Sequence, residues 1–339
     1  MNFDSIASIF QPRVCDYSTN LRLRLRKQAT GMEIIMKIAV IGAGAMGSIY
    51  GGHLSQHNEV YLLDTNQSVV EIINRDGVIL QENGDDVSYH PIAVTSTEEI
   101  GKVDLVIIFV KSLYSKAALS CNQGMIGEQT YVMTLQNGGG HEDIISEFVS
   151  KDRIIIGTTE DNGAVLAPGY VKHGGSGKTN IGMLVEDSNE YLEKLKETFD
   201  KCGFVTIIHE NIQELIWSKL FTNVSLSVLT GILQVNMGYI AQNAHAWFMT
   251  ECLVKEAVEV SKGLGIEFDE VEILEKIKNV SLNNPNGYTS IYADLRDGRK
   301  TEVDTISGYV VKASKKCGVP APTHEFVVEM VHAMEEKER

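Results

Sequence analysis

Several things are scarce in this chain. Proline occurs only 6 times in 339 residues and aromatic side chains make up 7%, within an otherwise ordinary globular composition of 43% hydrophobic and 22% charged residues. Cysteine is sparse and scattered: Cys15, Cys121, Cys202, Cys252 and Cys317 are odd in number and never spaced C-x-x-C. That excludes a disulfide framework and a cysteine zinc site, and makes a reducing cytoplasm the expected compartment. Basic charge is also short, with 30 Lys and Arg against 45 Asp and Glu, a formal net charge of −15. Such a balance argues against nucleic acid or an anionic membrane as the main partner, but not against a small anionic substrate, because one or two placed cations dominate inside a cleft. No apolar run reaches the roughly 20 residues that span a bilayer. His53 and His57 stand at i and i+4 but have no third ligand nearby in sequence, so no metal site is expected.

The length allows two ordinary domains, each with its own core. Residues 1–35 differ in character from the rest of the chain. The alternation "LRLRLRK" resembles a transit peptide, but Asp4, Asp16 and Glu33 count against one. Codons for Met32-Glu33 can read as a purine-rich ribosome-binding stretch shortly before Met36. The expectation is therefore that this extension is not native structure and that the protein starts at Met36.

From Met36 the chain is informative. "MKIAVIGAGAMGSIYGGHLSQHNEVYLLDTN" opens on a β-branched apolar run suited to a strand buried on both faces. Gly42, Gly44 and Gly47 then give G-x-G-x-x-G: the first for a tight turn, the second for close approach of a pyrophosphate, the third for packing of the helix on the strand. Ala43, Ala45 and Met46 complete the turn, whose helix N-terminus offers free N–H groups and partial positive charge. A second strand ends at Asp64, placed where a ribose-binding acid belongs. The pattern implies a dinucleotide site.

Alternating strands and helices continue, with "VDLVIIFVKS", "TYVMTLQNGGGHEDIISEFV" and the glycine-rich "DRIIIGTTEDNGAVLAPGYVKHGGSGKTNIG", whose strands and hairpins are expected to finish the sheet. The fold class is thus α/β: a doubly wound, mostly parallel Rossmann sheet over 36–208, with ligands at the carboxyl ends of its strands, and a helical region over 209–339. Lys111 and Asn137 stand at such strand ends, as site residues or as ordinary loop polarity. In the second half, "ELIWSKLFTNVSLSVLTGILQ" is apolar enough for a helix buried on most sides. Lys219, Asn223 and Ser227 share one stripe at i, i+4 and i+8, with Thr230 close by. Lys219 either snorkels to solvent or lines a cleft, where an ammonium can donate a proton and steady a developing alkoxide. Glu302 is its candidate charge partner.

Taken together, "IGAGAMG", "VKS", "QNG", "GTTEDNGAVLAPGYVKHGGSGKTNIG", "WSKLFTN" and "RKTEVDTISGYVV" resemble the ketopantoate reductase family over essentially all of residues 36–339. The resemblance implies a Rossmann domain joined to an all-helical C-terminal domain, with the active site between them. It also implies reduction of a 2-oxo acid, typically 2-dehydropantoate, to the (R)-2-hydroxy acid by a reduced nicotinamide cofactor. By position, Lys219 matches the family's proton donor and Glu302 the glutamate that orients substrate and lysine. Asn137 matches the asparagine near nicotinamide and substrate, Lys111 the lysine that contacts the cofactor, Ser290 the serine for the substrate carboxylate, and Asn223 the first asparagine after the lysine.

Departures from that pattern matter. Asp64 stands where NADPH-dependent members place an arginine; a carboxylate there accepts bonds from the ribose hydroxyls and repels a 2′-phosphate, so NADH is expected over NADPH. Ser227 and Gly287 replace two asparagines that help hold the hydroxyl-bearing substrate. Those changes weaken the case for ketopantoate and favour the family's NAD-linked D-2-hydroxyacid dehydrogenases, which act on branched or aromatic 2-oxo acids such as phenylglyoxylate. A 3-hydroxyacid dehydrogenase ranks lower because Thr222, not asparagine, precedes Asn223. A nucleotide sensor without catalysis ranks lower because Lys219 and Glu302 are both present. The expected partner is a small 2-oxo acid, and the apolar helical half makes a homodimer an open alternative to packing within one chain.

Overall fold

The structure, a computed structural model, describes residues 36–98, 100–185 and 189–337; the expectations for residues 1–35 lie outside them. The strands β1 (Lys37–Ile41), β2 (Glu59–Leu63), β3 (Val78–Glu82), β4 (Asp85–Tyr89), β5 (Ile92–Val94), β6 (Leu105–Ile108), β7 (Tyr131–Thr134) and β8 (Ile154–Thr159) are followed by β9 (Asn162–Ala167), β10 (Tyr170–Gly175), β11 (Lys178–Met183) and β12 (Val205–Ile208). Eight of them form one sheet in the order β12-β11-β8-β7-β6-β1-β2-β5. Every neighbouring pair from β5 to β8 is parallel, and β11 runs antiparallel to β8. The strands read as continuous apolar runs because helices cover both faces, and apolar clusters fill each side of the sheet. α1 (Ala45–Leu54), α2 (Gln67–Asp76), α3 (Ser115–Cys121), α4 (His141–Ile145) and α5 (Asn189–Lys201) supply that cover. α2 is capped by Asn66, whose side chain accepts from Ser68 N–H, and stops at Gly77, whose φ of +87° closes the helix in a conformation that favours glycine.

One expectation needs correcting. β8 and β11 finish the main sheet, but the hairpin β9–β10 leaves it for a second sheet ordered β4-β3-β10-β9. The reason lies in its pattern. β9 exposes both Val165 and Leu166 and has no two-sided apolar run, so it cannot sit inside a parallel sheet. Its glycine instead lets it lie on α1: a Cβ at Gly163 would come within 2.7 Å of Ile49 Cδ1.

Residues from 212 onward are helical: α6 (Ile212–Thr222), a π-helical turn (Asn223–Ser227), α7 (Val228–Leu233), α8 (Met237–Gln242), α9 (Ala244–Gly263), α10 (Glu270–Asn283), α11 (Ser290–Arg296), α12 (Ser307–Cys317) and α13 (Pro322–Glu335). Trp217, Phe221, Val224, Leu226 and Val228 are buried among the other helices, while Ile212 and Ile216 belong to the cluster beneath the main sheet. The helix therefore starts in one core and ends in the other. Contrary to the sequence reading, residues 212–233 are long and apolar enough to cross a bilayer by length and composition, with a mean hydropathy of 1.3. Most of that window, 67%, is buried by the protein's own side chains, which accounts for its apolarity.

Candidate active site

Because β1, β2, β6, β7 and β8 are parallel, their carboxyl ends share one edge of the sheet, and most of the residues singled out in the sequence gather there. At the end of β1, Gly42 adopts φ +104°, and its N–H donates to the Leu63 carbonyl at 2.8 Å. Ala43 follows, and its N–H donates to Asp64 Oδ2 at 3.1 Å. The second carboxylate oxygen accepts from Asn66 N–H at 2.9 Å. Asp64 is thus fixed beside the glycine turn by two backbone amides, with lone pairs left for further donors. Gly44 precedes α1, and a Cβ there would meet nothing within 4 Å, whereas one at Gly47 would lie 1.8 Å from the Gly42 carbonyl oxygen. The amides of Ala45, Met46 and Gly47 come before the first intrahelical bond, Ser48 N–H to Gly44 O at 2.9 Å, so they have no acceptor within the helix and stand at its positive end.

The next strand ends are tied to the helical half. Lys111, after β6, donates to Asp294 Oδ1 at 2.7 Å and to the Lys300 carbonyl at 3.1 Å. Asp294 is buried and also accepts from Arg299 Nε at 3.0 Å. Ser112 N–H donates to Glu302 Oε1 at 3.0 Å. After β7, the Asn137 carbonyl accepts from His141 Nε2 at 3.0 Å and Thr305 Oγ1 at 3.4 Å, while Gly139 N–H donates to the Thr305 carbonyl at 2.8 Å. Burial holds His141 near pKa 4, so the ring is neutral and its Nε2–H is a fixed donor to the turn carrying Asn137. The segment 302–305 thereby closes over two strand ends at once.

Lys219 approaches the same edge from α6. Its ammonium donates to the Thr159 carbonyl at the end of β8, 3.1 Å away. Among the described residues no carboxylate oxygen lies within 4 Å of it. Burial lowers its pKa, opposed by the fields of Glu160 and Glu302 across space. The expected pairing with Glu302 is therefore a long-range one, since Glu302 spends one oxygen on Ser112. A desolvated ammonium with a single neutral acceptor keeps two N–H donors for another oxygen and gives up a proton more readily than one in water.

Beyond Lys219 the helix changes pitch. An ideal α-helix drifts by about 40° every four residues, but the wider π turn at Asn223–Ser227 offsets that drift and keeps Lys219, Asn223 and Ser227 on one side. Thr230 Oγ1 lies 2.8 Å from Thr289 Oγ1, which caps α11 by accepting from Tyr292 N–H at 3.3 Å. Ser290 opens that helix and is exposed. A side chain at Gly287 would meet the Asn284 amide at 2.4 Å, so Asn284 occupies the room that an asparagine at 287 would need.

Sequence reading missed Thr159, Glu160, Ser112, His141 and Thr305. Four of these act through backbone atoms or on backbone atoms, which leave no residue-type signal. His53 has partners that lie far from it in sequence. Its Nε2 lies 2.6 Å from Glu82 Oε1, and His173 Nδ1 lies 3.0 Å from the same oxygen, a histidine–carboxylate cluster assembled from α1, β3 and β10.

Comparisons with known proteins agree with this architecture. Residues 38–186 match the family model described as "Ketopantoate reductase PanE/ApbA", and residues 211–335 match "Ketopantoate reductase PanE/ApbA C terminal". The chain is 33% identical over 308 residues to a 2-dehydropantoate 2-reductase of Lactococcus lactis, covering 89% of this chain and 98% of that one. It is 33% identical over 301 residues to a 2-dehydropantoate 2-reductase of Pyrococcus horikoshii, covering 88% and 98%. Among solved structures it is similar to D-mandelate dehydrogenase with NADH and anilino(oxo)acetate, at 34% identity and a TM-score of 0.82, covering 89% of this chain and 98% of that one.

Proposed function

The chain belongs to the ketopantoate reductase family, and on that premise we propose that this oxidoreductase reduces a branched 2-oxo acid to the (R)-2-hydroxy acid with a nicotinamide cofactor, NADH in preference to NADPH. The observation that carries the reading is the Lys219 ammonium, desolvated at the carboxyl edge of the sheet and, among the described residues, bonded only to the neutral Thr159 carbonyl.

The residues present fit a dinucleotide. Gly44 leaves open space before the first turn of α1, and Asp64 is held beside the glycine turn. When bound, the reduced nicotinamide supplies hydride to the ketone carbon of the 2-oxo acid. Lys219 holds the ketone oxygen through a free N–H, lowers the energy of the negative charge that develops there and transfers its proton to it. Glu302 keeps the ammonium's field balanced and its second oxygen available to orient the substrate. Asn137 holds substrate next to the cofactor, and Asn223, Ser227 and Ser290 bind the carboxylate and acyl group. Lys111 serves the cofactor once released from Asp294. The working division is a dinucleotide-binding half over 36–208 and a substrate half over 209–339, in a cytoplasmic protein. Asp64 supports NADH, since a 2′-phosphate beside a carboxylate is repelled.

A second reading is an NAD-linked D-2-hydroxyacid dehydrogenase of the mandelate type that does not act on ketopantoate. Ser227 supports it, and so does the likeness to D-mandelate dehydrogenase. Gly287 supports it less than the sequence implied, because the Asn284 amide fills that place. Initial rates with NADH and with NADPH, each against ketopantoate, 2-oxoisocaproate and phenylglyoxylate, separate the readings. Turnover of ketopantoate with NADH is expected under the first, and turnover of only the non-hydroxylated acids under the second. NADPH preference would overturn the role given to Asp64, and no turnover of any of the three acids would overturn both.

A further inference from the structure

Behind Lys219 lies a chain of buried polar groups that the reduction of a 2-oxo acid leaves unused. Thr159, whose carbonyl receives the ammonium, turns its hydroxyl the other way. Thr159 Oγ1 accepts from Tyr50 OH at 2.9 Å and from Asp161 N–H at 3.0 Å, and stands 3.0 Å from Asp161 Oδ2. Tyr50 OH also lies 2.6 Å from Thr179 Oγ1. Asp161 Oδ1 faces His173 Nε2 at 3.1 Å and accepts from Gly177 N–H at 3.2 Å. The other nitrogen of His173 faces Glu82 Oε1 at 3.0 Å, and Glu82 Oε2 accepts from Tyr89 OH at 3.3 Å. The His173 and Asp161 side chains are 7% and 2% exposed, so water is a poor substitute for either partner.

An ionised carboxylate only accepts hydrogen bonds, so an imidazole between two carboxylates must carry a proton on each nitrogen. His173 is therefore a cation shared by Asp161, at the turn after β8 of the main sheet, and Glu82, on β3 of the second sheet. The groups facing it from the packed elements are His53 and Tyr50 of α1, Glu82 of β3, Tyr89 of β4 and Asp161.

The same cluster offers two imidazoles and a carboxylate to a metal ion, but its spacing favours hydrogen bonds. Two ligands on a tetrahedral zinc, each about 2.0 Å from it, stand about 3.3 Å apart, whereas His53 Nε2 and Glu82 Oε1 are 2.6 Å apart.

We propose that His173 is a positioning residue for Lys219. By clamping Asp161 to Glu82 through both ring nitrogens, it pins the hairpin β9–β10 to the main sheet and fixes the Thr159 carbonyl that aims the ammonium. The inference rests on the reading of Lys219 as proton donor.

The test is H173Q, since an amide offers hydrogens on one side only and cannot bridge two carboxylates. The kcat for 2-oxo acid reduction is expected to fall about 10- to 100-fold, the usual cost of a misplaced catalytic group, while KM for NADH stays within about threefold. E82Q, which leaves the Asp161 contact, is expected to cost less. In parallel, the rate at which an acetylating reagent modifies Lys219, read by mass spectrometry, is expected to change in H173Q. That second readout does not depend on turnover: an inactive wild type whose Lys219 labelling still responds to H173Q would refute the reaction and sustain the positioning. Unchanged kcat and unchanged labelling would overturn the proposal, as would a loss of kcat that merely tracks the folded fraction. If H173Q does not fold, Y50F serves. It keeps the ring stacked on Phe204 and removes the hydroxyl shared by Thr159, Thr179 and Asp161. About a fivefold fall in kcat is then expected, and no fall overturns the proposal. Activation by zinc that is abolished in H53A would replace the ion pair with a metal site and overturn it as well.

Discussion

Alanine at Gly44 and alanine at Gly47 each add one methyl group to the same turn, three residues apart, and they are expected to fail in opposite ways. At Gly47 the new Cβ would sit 1.8 Å from the Gly42 carbonyl oxygen and 3.0 Å from its carbon. An acceptable contact of about 3.2 Å requires a backbone shift of about 1.4 Å, and neither atom belongs to a side chain that can rotate away. The shift would strain the Ala43–Asp64 bond and the Gly42–Leu63 bond that close the turn. Overpacking of this kind costs about 1–3 kcal/mol, and misplacing the site by about 1 Å costs about 100-fold in function. Gly44 differs. Its φ of −71° suits any residue and nothing in the protein lies within 4 Å of its Cβ. G44A is therefore expected to melt at or slightly above the wild-type temperature, yet to bind NADH at least about tenfold more weakly, because the methyl fills the space through which the backbone meets a pyrophosphate. Thermal unfolding together with NADH fluorescence titration reads both effects. Wild-type NADH affinity in G44A would refute the claim that this turn receives the cofactor. A wild-type melting temperature in G47A would refute the tight packing of α1 on β1.

Replacing Lys219 by Ala is expected to lower turnover roughly 10²- to 10⁴-fold, measured as kcat under saturating NADH; unchanged turnover removes the lysine from the chemistry. Asp64→Ser is expected to improve NADPH relative to NADH by about tenfold or more, since two unit charges about 5 Å apart repel by about 3 kcal/mol before screening; a kcat/KM ratio that does not move would mean that Asp64 does not face the ribose. The His173 link carries a pH signature. Hydrogen bonding to Asp161, then to Glu82, raises its pKa from 6.5 to about 9. Its contribution is therefore complete below pH 6.5 and lost as pH rises through about 9, worth about 3 kcal/mol at most. Burial works against the Glu82 carboxylate, but its bonds to His173 and His53 outweigh it and hold the pKa near 2, so that contribution is lost only as pH falls through about 2. Urea titrations should show the gap between wild type and H173Q closing between pH 7 and 10; a constant gap would mean that the ring is neutral.

Much of this molecule was legible before folding was considered. A buried strand, a glycine turn and a terminal acid lie within thirty residues, and local backbone geometry gives each glycine its task; the turn, α1 and Asp64 stand as expected. Period-two and period-3.6 patterns likewise separate the strand-rich half from the helical one. The destination of β9–β10 was not legible, because a short glycine-rich hairpin satisfies its backbone equally well in either sheet and only contact with α1 decides.

The sequence by itself determined which groups are available: a glycine turn before a helix, a helical lysine and an acid beyond the second strand. Only the tertiary structure decided how they are used. It gave Lys219 a backbone carbonyl rather than Glu302 as its direct partner, engaged Lys111 with Asp294, and made one cluster of His53, Glu82, Asp161 and His173. The physical reason is common to all three. Burial and hydrogen bonding set the charge state and aim of an ionisable group, and both depend on atoms brought together from distant positions, many of them backbone atoms that every residue carries alike.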